Sequence, residues 1–289
     1  MSPMSSAVCR AVLITGASTG IGEACALELD RLGFRVFAGV RSEAAGQALQ
    51  AKASPRLSPI MIDVTDSESI AAAAETVRNA VGESGLAGLV NNAGVAIPGP
   101  IEALPIAALR NQLEVNVIGA VAVTQAFLPL IRKAQGRIVN MSSLNGALSS
   151  PFLGAYSASK FALEGVSDAL RLELSRWNIH VALVEPGPID TPIWKKTSAT
   201  ADRISATASP EVMLLYEKDI AAMNQAISKL VQNASPVDPV VQAVVHALTS
   251  RRPKVRYFLT WGVRFMSKGF RMAPERLHDW IIRKTLGLS

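Results

Sequence analysis

Short apolar runs alternate with alanine-rich segments through the first 190 residues, and this alternation constrains the fold more than any other feature of the chain. The runs carry apolar residues on both faces, as buried parallel strands do. Strands that alternate with helices are joined by right-handed crossovers, so we predict an α/β fold on a doubly wound parallel sheet. The predicted strands of this region are 8–15, 35–40, 58–64, 86–91, 137–142 and 180–185.

The regular rhythm ends near residue 186. The next segment, 186–239, is irregular and contains a Ser/Thr/Ala-rich stretch at 197–209 and an amphipathic helix at 211–233. A long segment between regular elements is usually a lid or a disordered loop, and the amphipathic helix favours a lid. A last strand is predicted at 255–260. The predicted helices are 20–33, 42–53, 67–82, 105–134 (broken near Gly119), 152–174 and 237–249.

We predict one domain, 1–289, with 8–192 as the cofactor and catalytic core, 193–236 as a substrate lid and 261–289 as a C-terminal extension. The 49% of hydrophobic residues is enough for a substantial core. Cys9 and Cys25 cannot form a disulfide framework, and no Cys/His spacing predicts a metal site. Reduced thiols in the cytoplasm are the simplest interpretation, with Cys25 buried in a helix.

The net charge of +6 is unevenly distributed. Residues 251–289 hold 10 Lys/Arg against Glu275 and Asp279, a net of +8, and the rest of the chain therefore carries −2. This separation argues against a nucleic-acid-binding surface on the main domain. The first ten residues lack the apolar region of a signal peptide, and no run of roughly 18 apolar residues predicts a transmembrane helix.

A turn with three glycines follows the first strand, at Gly16, Gly20 and Gly22. Glycines at the start of a helix let backbone amides approach a pyrophosphate and place its charge at the helix N-terminus. The spacing differs from the best-known dinucleotide fingerprint, and a simple tight turn is the alternative. The strand–turn–helix context favours phosphate binding by Gly16, Ser18, Thr19, Gly20, Ile21 and Gly22.

The second strand ends at Val40 and is followed by Arg41, with no carboxylate to hold the ribose hydroxyl of NAD. A guanidinium suits a phosphate in charge and geometry, so we predict that NADP(H) is preferred over NAD(H). The alternative is that Arg41 is a solvated loop residue. Asp63 and Val64, at the end of the third strand, are candidates for the adenine side. Asp63 either accepts from the adenine amino group or bonds its own loop.

Tyr156 and Lys160 are four residues apart in a predicted helix and therefore lie on one face. An ammonium beside a phenol favours the phenolate and lowers the pKa of the phenol. Such a pair could move a proton on or off an alcohol oxygen near neutral pH. Many amphipathic helices carry this spacing, so the pair becomes informative only together with other motifs.

Four motifs, in order, make the sequence similar to the short-chain dehydrogenase/reductase family and its NADP(H)-preferring subgroup. The resemblance covers about residues 8 to 192 and implies a three-layer Rossmann domain, with about seven strands flanked by helices. The motifs are the glycine turn at 15–22, Asn91-Asn92-Ala93-Gly94, Ser143 with Tyr156 and Lys160, and Pro186-Gly187 with Thr191.

The resemblance implies a catalytic set of Asn116, Ser143, Tyr156 and Lys160. Ser143 would bond the substrate oxygen, Tyr156 would transfer the proton, and Lys160 would bond the nicotinamide ribose and lower the Tyr156 pKa. Asn116 would kink its helix and hold a water that supplies protons to the lysine; an ordinary helix amide is the alternative. The further cofactor residues that the resemblance implies are Asn92, Ala93, Gly94, Pro186, Gly187, Ile189 and Thr191, with Tyr156 and Lys160.

The predicted activity is hydride transfer between the nicotinamide and a carbonyl or secondary alcohol, with no metal. Apolar residues near the carboxyl ends of the strands favour a lipophilic substrate. The lid and tail loosely resemble members that act on steroids, retinoids and other lipophilic alcohols. The predicted substrate residues are Asn145, Phe152, Ile193 and Trp194, with Ser143 and Tyr156; wider candidates are Val95, Ile97, Leu144, Leu148, Met213 and Tyr216.

Two alternatives stay open, a catalytically silent NADP(H) sensor and a peripheral membrane protein on the same fold. An intact catalytic set argues against a pure sensor. The basic extension 261–289 either packs on the domain or lies on an anionic membrane. The expected location is therefore cytoplasmic or membrane-peripheral, and the resemblance implies a homodimer or homotetramer.

Overall fold

The computed structural model describes residues 10–259 and 274–286. Within them, seven parallel strands form one sheet in the order β3-β2-β1-β4-β5-β6-β7. The predicted doubly wound, three-layer α/β fold is confirmed. The strands are β1 Ala11–Ile14, β2 Arg35–Val40, β3 Leu57–Met61, β4 Gly88–Asn91, β5 Arg137–Met141, β6 His180–Glu185 and β7 Arg256–Phe258.

Two apolar clusters cover the two faces of the sheet. Alternate residues of a strand point to opposite faces, so Val12 and Ile14 pack on one side and Leu13 on the other. The first face is covered by α1 Gly20–Arg31, α2 Glu43–Gln50 and α10 Asp238–Thr249, and the second by α3 Ser67–Val81, α5 Gly119–Ala134 and α6 Gly154–Glu173. Cys25, which belongs to α1, is buried, as predicted.

Five strands, β1, β3, β4, β5 and β7, are shorter than predicted. β1 and β7 lose residues at both ends, although residues 8, 9 and 260 lie outside the described part of the chain. β3 ends at Met61, which pairs with Val40, the last residue of β2. Asp63 and Val64 therefore lie beyond the end of β3. The predicted strand–helix order of the core is nevertheless the observed one.

The long predicted helix at 105–134 is continuous and is widened rather than broken. It consists of α4 Ile106–Leu113, a π-helical turn Glu114–Ile118 and α5. A Cβ at position 119 would lie 2.7 Å from the Val64 carbonyl oxygen, so Gly119 allows close packing and not a break. Such wide turns in helices are frequent at functional sites.

The helical stretch Ile106–Ala134 is the one described segment long and apolar enough to cross a membrane by length and composition. The same test is met by core helices of globular proteins. Phe127 and Ile131 of this stretch are fully buried in the cluster on the second face of the sheet. We therefore interpret it as a core helix.

The segment predicted to be irregular is helical, which corrects the prediction for 197–209. α7 Ile193–Thr207 covers most of that stretch, and the predicted helix 211–233 is divided at Tyr216 into α8 Pro210–Leu215 and α9 Glu217–Gln232. The segment is closed at its base by a parallel bridge between Ile189 and Ser235. The Asp190 amide donates to the Ser235 carbonyl and the Ser235 amide to the Pro188 carbonyl, each at 3.0 Å.

The predicted C-terminal extension is described only at 274–286; its other residues lie outside the described part of the chain. Those residues form α11, Glu275–Leu286, after Pro274. α11 lies against α9, so it contacts the predicted lid.

Candidate active site

The turn between β1 and α1 requires glycine, because a side chain would be strained or would clash at its three glycine positions. Gly16 and Gly20 have φ angles of +66° and +62°, which L side chains rarely adopt. A Cβ on Gly16 would lie 2.8 Å from the Ala93 Cα, and one on Gly22 would lie 2.3 Å from the Gly16 carbonyl oxygen. The turn opens at the N-terminus of α1, where free amides favour an anion. These residues therefore fit the pyrophosphate of a dinucleotide.

The segment after β4 holds this turn in place. The Asn92 side chain donates to the carbonyls of Thr15 and Gly16 at 3.0 and 3.1 Å. The Thr15 hydroxyl accepts from the amides of Asn92 and Ala93, each at 3.0 Å. Asn92 thus holds the glycine turn by hydrogen bonds, and Ala93 packs against Gly16. The role of Thr15 was not predicted, because a threonine at the end of a strand has no distinctive spacing.

At the adenosine side, Arg41 is exposed directly after β2. Asp63 accepts from the amide and hydroxyl of Thr65 at 2.9 and 2.7 Å, so it bonds its own loop, one of the two predicted options. These bonds hold the pKa of the Asp63 carboxyl below its ordinary value, and Arg41 acts in the same direction. The Val64 side chain is buried in the core, which leaves only its backbone for contact with a cofactor.

The chain after β6 crosses from the sheet to the glycine turn. The Pro186 carbonyl accepts from the Leu144 amide at 3.1 Å, which ties this segment to the turn after β5. A Cβ on Gly20 would lie 3.2 Å from the Thr191 side chain, so Thr191 reaches the phosphate turn. Ile189 is buried, and its carbonyl accepts from the Trp194 indole at 2.8 Å. Gly187 lies between these points, where the chain passes over the expected nicotinamide site.

Ser143, Tyr156 and Lys160 meet at the carboxyl end of β5. Ser143 follows that strand, and its side chain interacts with the Tyr156 phenol. The Lys160 ammonium donates to the Met141 carbonyl at 2.8 Å and lies 5.6 Å from the centre of the Tyr156 ring. Lys160 is only 6% exposed, which is unusual for a lysine. The three groups that the sequence predicted are therefore brought together, and the Met141 carbonyl is an additional partner that sequence alone did not reveal.

Burial governs the ionisation of this pair in the chain itself. It raises the pKa of the Tyr156 phenol above its ordinary value, while the bond to Ser143 acts in the opposite direction. Burial also lowers the pKa of Lys160 to about 8, and the Glu164 carboxylate opposes that change. The predicted lowering of the Tyr156 pKa is therefore wrong for the chain alone, because desolvation of the phenolate outweighs the interaction with Ser143.

Asn116 lies in the π-helical turn and is 2% exposed, so it is not an ordinary helix-surface amide. Its side chain accepts from the Val95 amide at 2.9 Å and donates to the Val95 carbonyl at 3.0 Å. It also donates to the Ser159 hydroxyl at 3.0 Å, and that hydroxyl donates to the Tyr156 carbonyl at 2.7 Å. Asn116 thus joins the segment after Gly94 to the helix that carries Tyr156.

The predicted substrate residues surround this centre but differ in their contacts. Asn145 donates to Ser157 at 3.1 Å, so its amide ties the turn after β5 to α6. Phe152 has a φ angle of +60°, and its ring meets Tyr216 of the lid edge-on at 6.0 Å. Ile193 is exposed, and Trp194 is half-buried and bonded to the backbone. Of the wider candidates, Ile97 and Leu148 are buried, and Val95, Leu144, Met213 and Tyr216 are at least partly exposed.

Comparison with known proteins gives one family. The model described as short chain dehydrogenase matches residues 10–202. Two solved structures are similar over nearly the whole chain. A short-chain dehydrogenase from Streptomyces avermitilis has a TM-score of 0.77 at 30% identity, covering 96% of this chain and 97% of that one. A short chain dehydrogenase from Burkholderia cenocepacia, solved in complex with NADP, has a TM-score of 0.72 at 26% identity, covering 94% and 96%.

Named relatives are also similar over most of their length. The 17-beta-hydroxysteroid dehydrogenase type 6 of Bos taurus is 39% identical, with 95% of this chain and 88% of that protein covered. Retinol dehydrogenase 7 of Rattus norvegicus is 38% identical, with 94% and 87% covered. An NADPH-dependent 3-dehydrocapnine reductase of Ornithobacterium rhinotracheale is 35% identical, with 96% and 97% covered.

Proposed function

The chain belongs to the short-chain dehydrogenase family, and on that premise we propose that it moves a hydride between NADP(H) and a lipophilic ketone or secondary alcohol. Membership makes the protein an oxidoreductase that acts on CH–OH or C=O groups with a nicotinamide cofactor. The observation that supports the proposal most is the meeting of Ser143, Tyr156 and buried Lys160 at the carboxyl end of β5. Ligands of open α/β sheets bind at this edge.

Each group has a part in the proposed reaction. When bound, the nicotinamide supplies or accepts the hydride. In the direction of reduction, the Ser143 and Tyr156 hydroxyls donate hydrogen bonds to the substrate oxygen, where negative charge develops. Tyr156 then gives up its proton, and the Lys160 ammonium stabilises the phenolate that remains. Asn116 holds the Tyr156 helix in place, and we retain the proposal that it positions a water that returns protons to Lys160.

The preference for NADP(H) is part of the proposal and rests on Arg41. This guanidinium is exposed beside the end of β2, where the ribose phosphate of NADP(H) is expected. A relative named as NADPH-dependent and a similar structure solved with NADP support the same choice. The Asp63 carboxylate, which is within electrostatic range of Arg41, bonds its own loop and leaves the guanidinium for the phosphate.

The substrate proposal rests on the relatives and on the apolar side chains near Tyr156. Two of the relatives are named for hydroxysteroids and retinol. Phe152 and Leu144 are partly exposed and Ile193 is exposed, and Tyr216 of the lid segment meets the Phe152 ring. We propose that 193–236 acts as a substrate lid of one domain, which works as a homodimer or homotetramer; light scattering would measure the assembly.

A substrate screen tests the proposal directly. Purified protein is mixed with NADPH or NADH and a panel of keto- and hydroxysteroids, retinal, retinol and small ketones, and the absorbance of the reduced nicotinamide is followed. We expect turnover with at least one lipophilic member and a higher kcat/KM with NADPH. NADPH binding without turnover of any substrate by the parent protein would favour the sensor alternative.

A second, smaller proposal concerns α11. Trp280 is 57% exposed and Leu277 is 45% exposed, while Arg276, Arg283 and Lys284 supply positive charge on the same short helix. Apolar and basic side chains together suit contact with an anionic membrane surface. We propose that full-length protein sediments with phosphatidylserine vesicles and that the Leu277→Ser/Trp280→Ser double variant does so less. Equal sedimentation of both would leave α11 as a helix that only packs on α9.

A further inference from the structure

A buried group of charges joins α6 to the last two strands, one helical turn from Lys160. Arg256 of β7 donates to Glu164 at 2.9 Å and to Asp168 at 2.8 Å, both on α6. Its Nε also lies 3.4 Å from a carboxylate oxygen of Glu185, at the end of β6. The side chains of Glu164 and Glu185 are only 6% and 0% exposed. We call these four residues the charge cluster.

The excess of negative charge in the charge cluster is unusual for a group of residues that only stabilises the fold. Three carboxylates surround one guanidinium, and two of them are almost fully withdrawn from water. Desolvation of buried charges is costly, and apolar side chains of similar size often stabilise a core as well or better. A buried excess of negative charge is favoured where a further cation lies nearby. Lys160 is such a cation, and it is itself buried.

Glu164 is the member of the cluster that acts electrostatically on Lys160. It follows Lys160 by four residues on the same helix, so the two side chains share one face. It also packs against the turn that follows Ser143. A Cβ on Gly146 would lie 3.0 Å from the Glu164 Cγ and 2.8 Å from the Ser142 hydroxyl. Glu164 therefore lies between the lysine, the serine-bearing turn and Arg256.

We propose that Glu164 is a positioning residue that keeps Lys160 protonated in its buried site, and that Arg256 fixes the Glu164 carboxylate there from the final strand. The inference rests on the proposed function, because the role of Lys160 in proton transfer belongs to it. It extends that function by placing the control of the lysine's charge outside the family's catalytic set.

The surroundings of Lys160 are consistent with this role. The ionisable side chains around it are Tyr156 and Glu164 on its own helix, and Glu185 and Arg256 on β6 and β7, with Asp168 beyond them. β5 contributes the Met141 carbonyl, which is not ionisable. Burial lowers the Lys160 pKa to about 8, and Glu164 is the charged group that opposes this change.

The decisive variant is Glu164→Gln, which keeps the shape and an acceptor for Arg256 but removes the charge. The lysine then loses its proton at lower pH. Because reduction needs the ammonium, we expect the alkaline fall of kcat/KM to move down by roughly one pH unit. Asp168→Asn is the matched control, because it removes a carboxylate partner of the same arginine two turns away from Lys160. Its profile is expected to coincide with that of the parent.

A second measurement does not depend on turnover. The side-chain resonances of 13C-labelled lysine can be titrated by NMR in the protein alone, and the Lys160 signal can be assigned with Lys160→Met. Without the Glu164 carboxylate the buried ammonium is less stable, so Glu164→Gln should move the Lys160 titration to lower pH by roughly one unit. Glu164→Asp, which retains the charge, should stay close to the parent in both measurements. If the glutamine variant does not fold, Glu164→Met, which has a similar length and no charge, replaces it, and the same downward shift is required.

The outcomes separate this inference from the function on which it rests. Shifts in Glu164→Gln alone support it. Unchanged profiles in Glu164→Gln, or equal shifts in Asp168→Asn, overturn it even if the protein is an active reductase. A shifted Lys160 titration in a protein that turns over no carbonyl or alcohol would instead overturn the proposed function and leave the electrostatic link in place.

Discussion

The proposed catalytic edge of the sheet and the proposed lid are built in opposite ways. At the edge, polar side chains such as Asn116, Ser143 and Lys160 are buried and hydrogen-bonded. In the lid, α7–α9, all of which the structure describes, Met223 is the one buried side chain. Leu214 and Leu215 of the lid are 70% and 75% exposed. The protein thus combines a rigid site for the reaction with a loosely packed cover.

This difference indicates how reaction and substrate choice are divided. A buried polar network has few alternative arrangements, since each lost hydrogen bond leaves a desolvated group. A cover with little buried surface opens at low cost and can adapt to its ligand. We therefore expect changes at the edge to affect the rate or the cofactor strongly, and changes in the lid to affect mainly the affinity for substrate.

The largest effect is expected for Tyr156→Phe, which removes the proposed proton donor and nothing else. Turnover should fall by about 10²–10⁴-fold, the usual contribution of a positioned acid or base. Affinity for NADPH, measured by fluorescence titration, should stay the same. Tyr216→Phe in the lid is the matched control with a similar loss of one hydroxyl. Near-parental turnover in Tyr156→Phe would contradict the assignment of the edge.

Gly22→Ala should have the next largest effect. The added Cβ would lie 2.3 Å from the Gly16 carbonyl oxygen and 2.5 Å from the Asn92 amide nitrogen, so the turn must deform. We expect at least a roughly tenfold loss in NADPH affinity, together with a destabilisation of about 1–3 kcal/mol. Calorimetry measures both.

Gly165→Ala on the outer side of α6 is the control for that variant. A Cβ there would meet nothing within 4 Å. Because alanine favours a helix more than glycine does, the control should be stabilised by up to about 1 kcal/mol and should bind NADPH normally. Normal cofactor binding by Gly22→Ala would show that the glycine turn can accommodate a Cβ at this position without losing its ability to bind NADPH.

Arg41→Asp should reverse the cofactor preference without affecting the lid. The change replaces a cation by an anion where the ribose phosphate is expected, and a bond to a charged group is worth about 1.5–3 kcal/mol, or roughly 10–100-fold. The ratio of kcat/KM for NADPH and NADH measures the effect. Arg78→Asp, on an exposed position of α3, controls for the change in charge. An unchanged ratio would make Arg41 a solvated loop residue.

The smallest effect is expected in the lid. The Tyr216 hydroxyl donates to Glu102 at 2.7 Å, where Glu102 is exposed and Tyr216 is partly exposed. Tyr216→Phe removes this bond, which in water is worth about 0.5–1.5 kcal/mol. We expect KM for a lipophilic substrate to rise by a few fold, with kcat and NADPH affinity unchanged. A large loss of kcat would mean that the lid takes part in the arrangement of the reacting groups.

The sequence predicted the edge well because its determinants are local. A glycine turn, a tyrosine and lysine one helical turn apart, and apolar strand runs each depend on neighbouring residues. The lid helix α7 was missed because its Ser/Thr/Ala-rich sequence has no clear apolar stripe, and tertiary contacts such as that of Ile204 with Gly99 hold it. Because most of α7 is exposed, its amino-acid composition is similar to that of a loop.

Two other features depend on distance and burial, which the sequence does not express. Arg256 and Glu164 are 92 residues apart in the chain and meet only after β7 joins the sheet. The direction of the Tyr156 pKa depends on the depth of the phenol, whereas the spacing revealed only its cationic neighbour. Local motifs thus indicated the proposed reacting groups, and the fold determines the direction of their pKa shifts.

The bridge between Ile189 and Ser235 gives the lid the properties of an exchangeable cassette. The segment leaves and returns at neighbouring backbone positions, so its length can change without moving the sheet, and doubling a loop costs only about 0.6 kcal/mol. Grafting a relative's segment between these two residues should preserve the dinucleotide site. Recombination at the Ile189–Ser235 bridge could then change the substrate range, while the proposed catalytic residues stay the same.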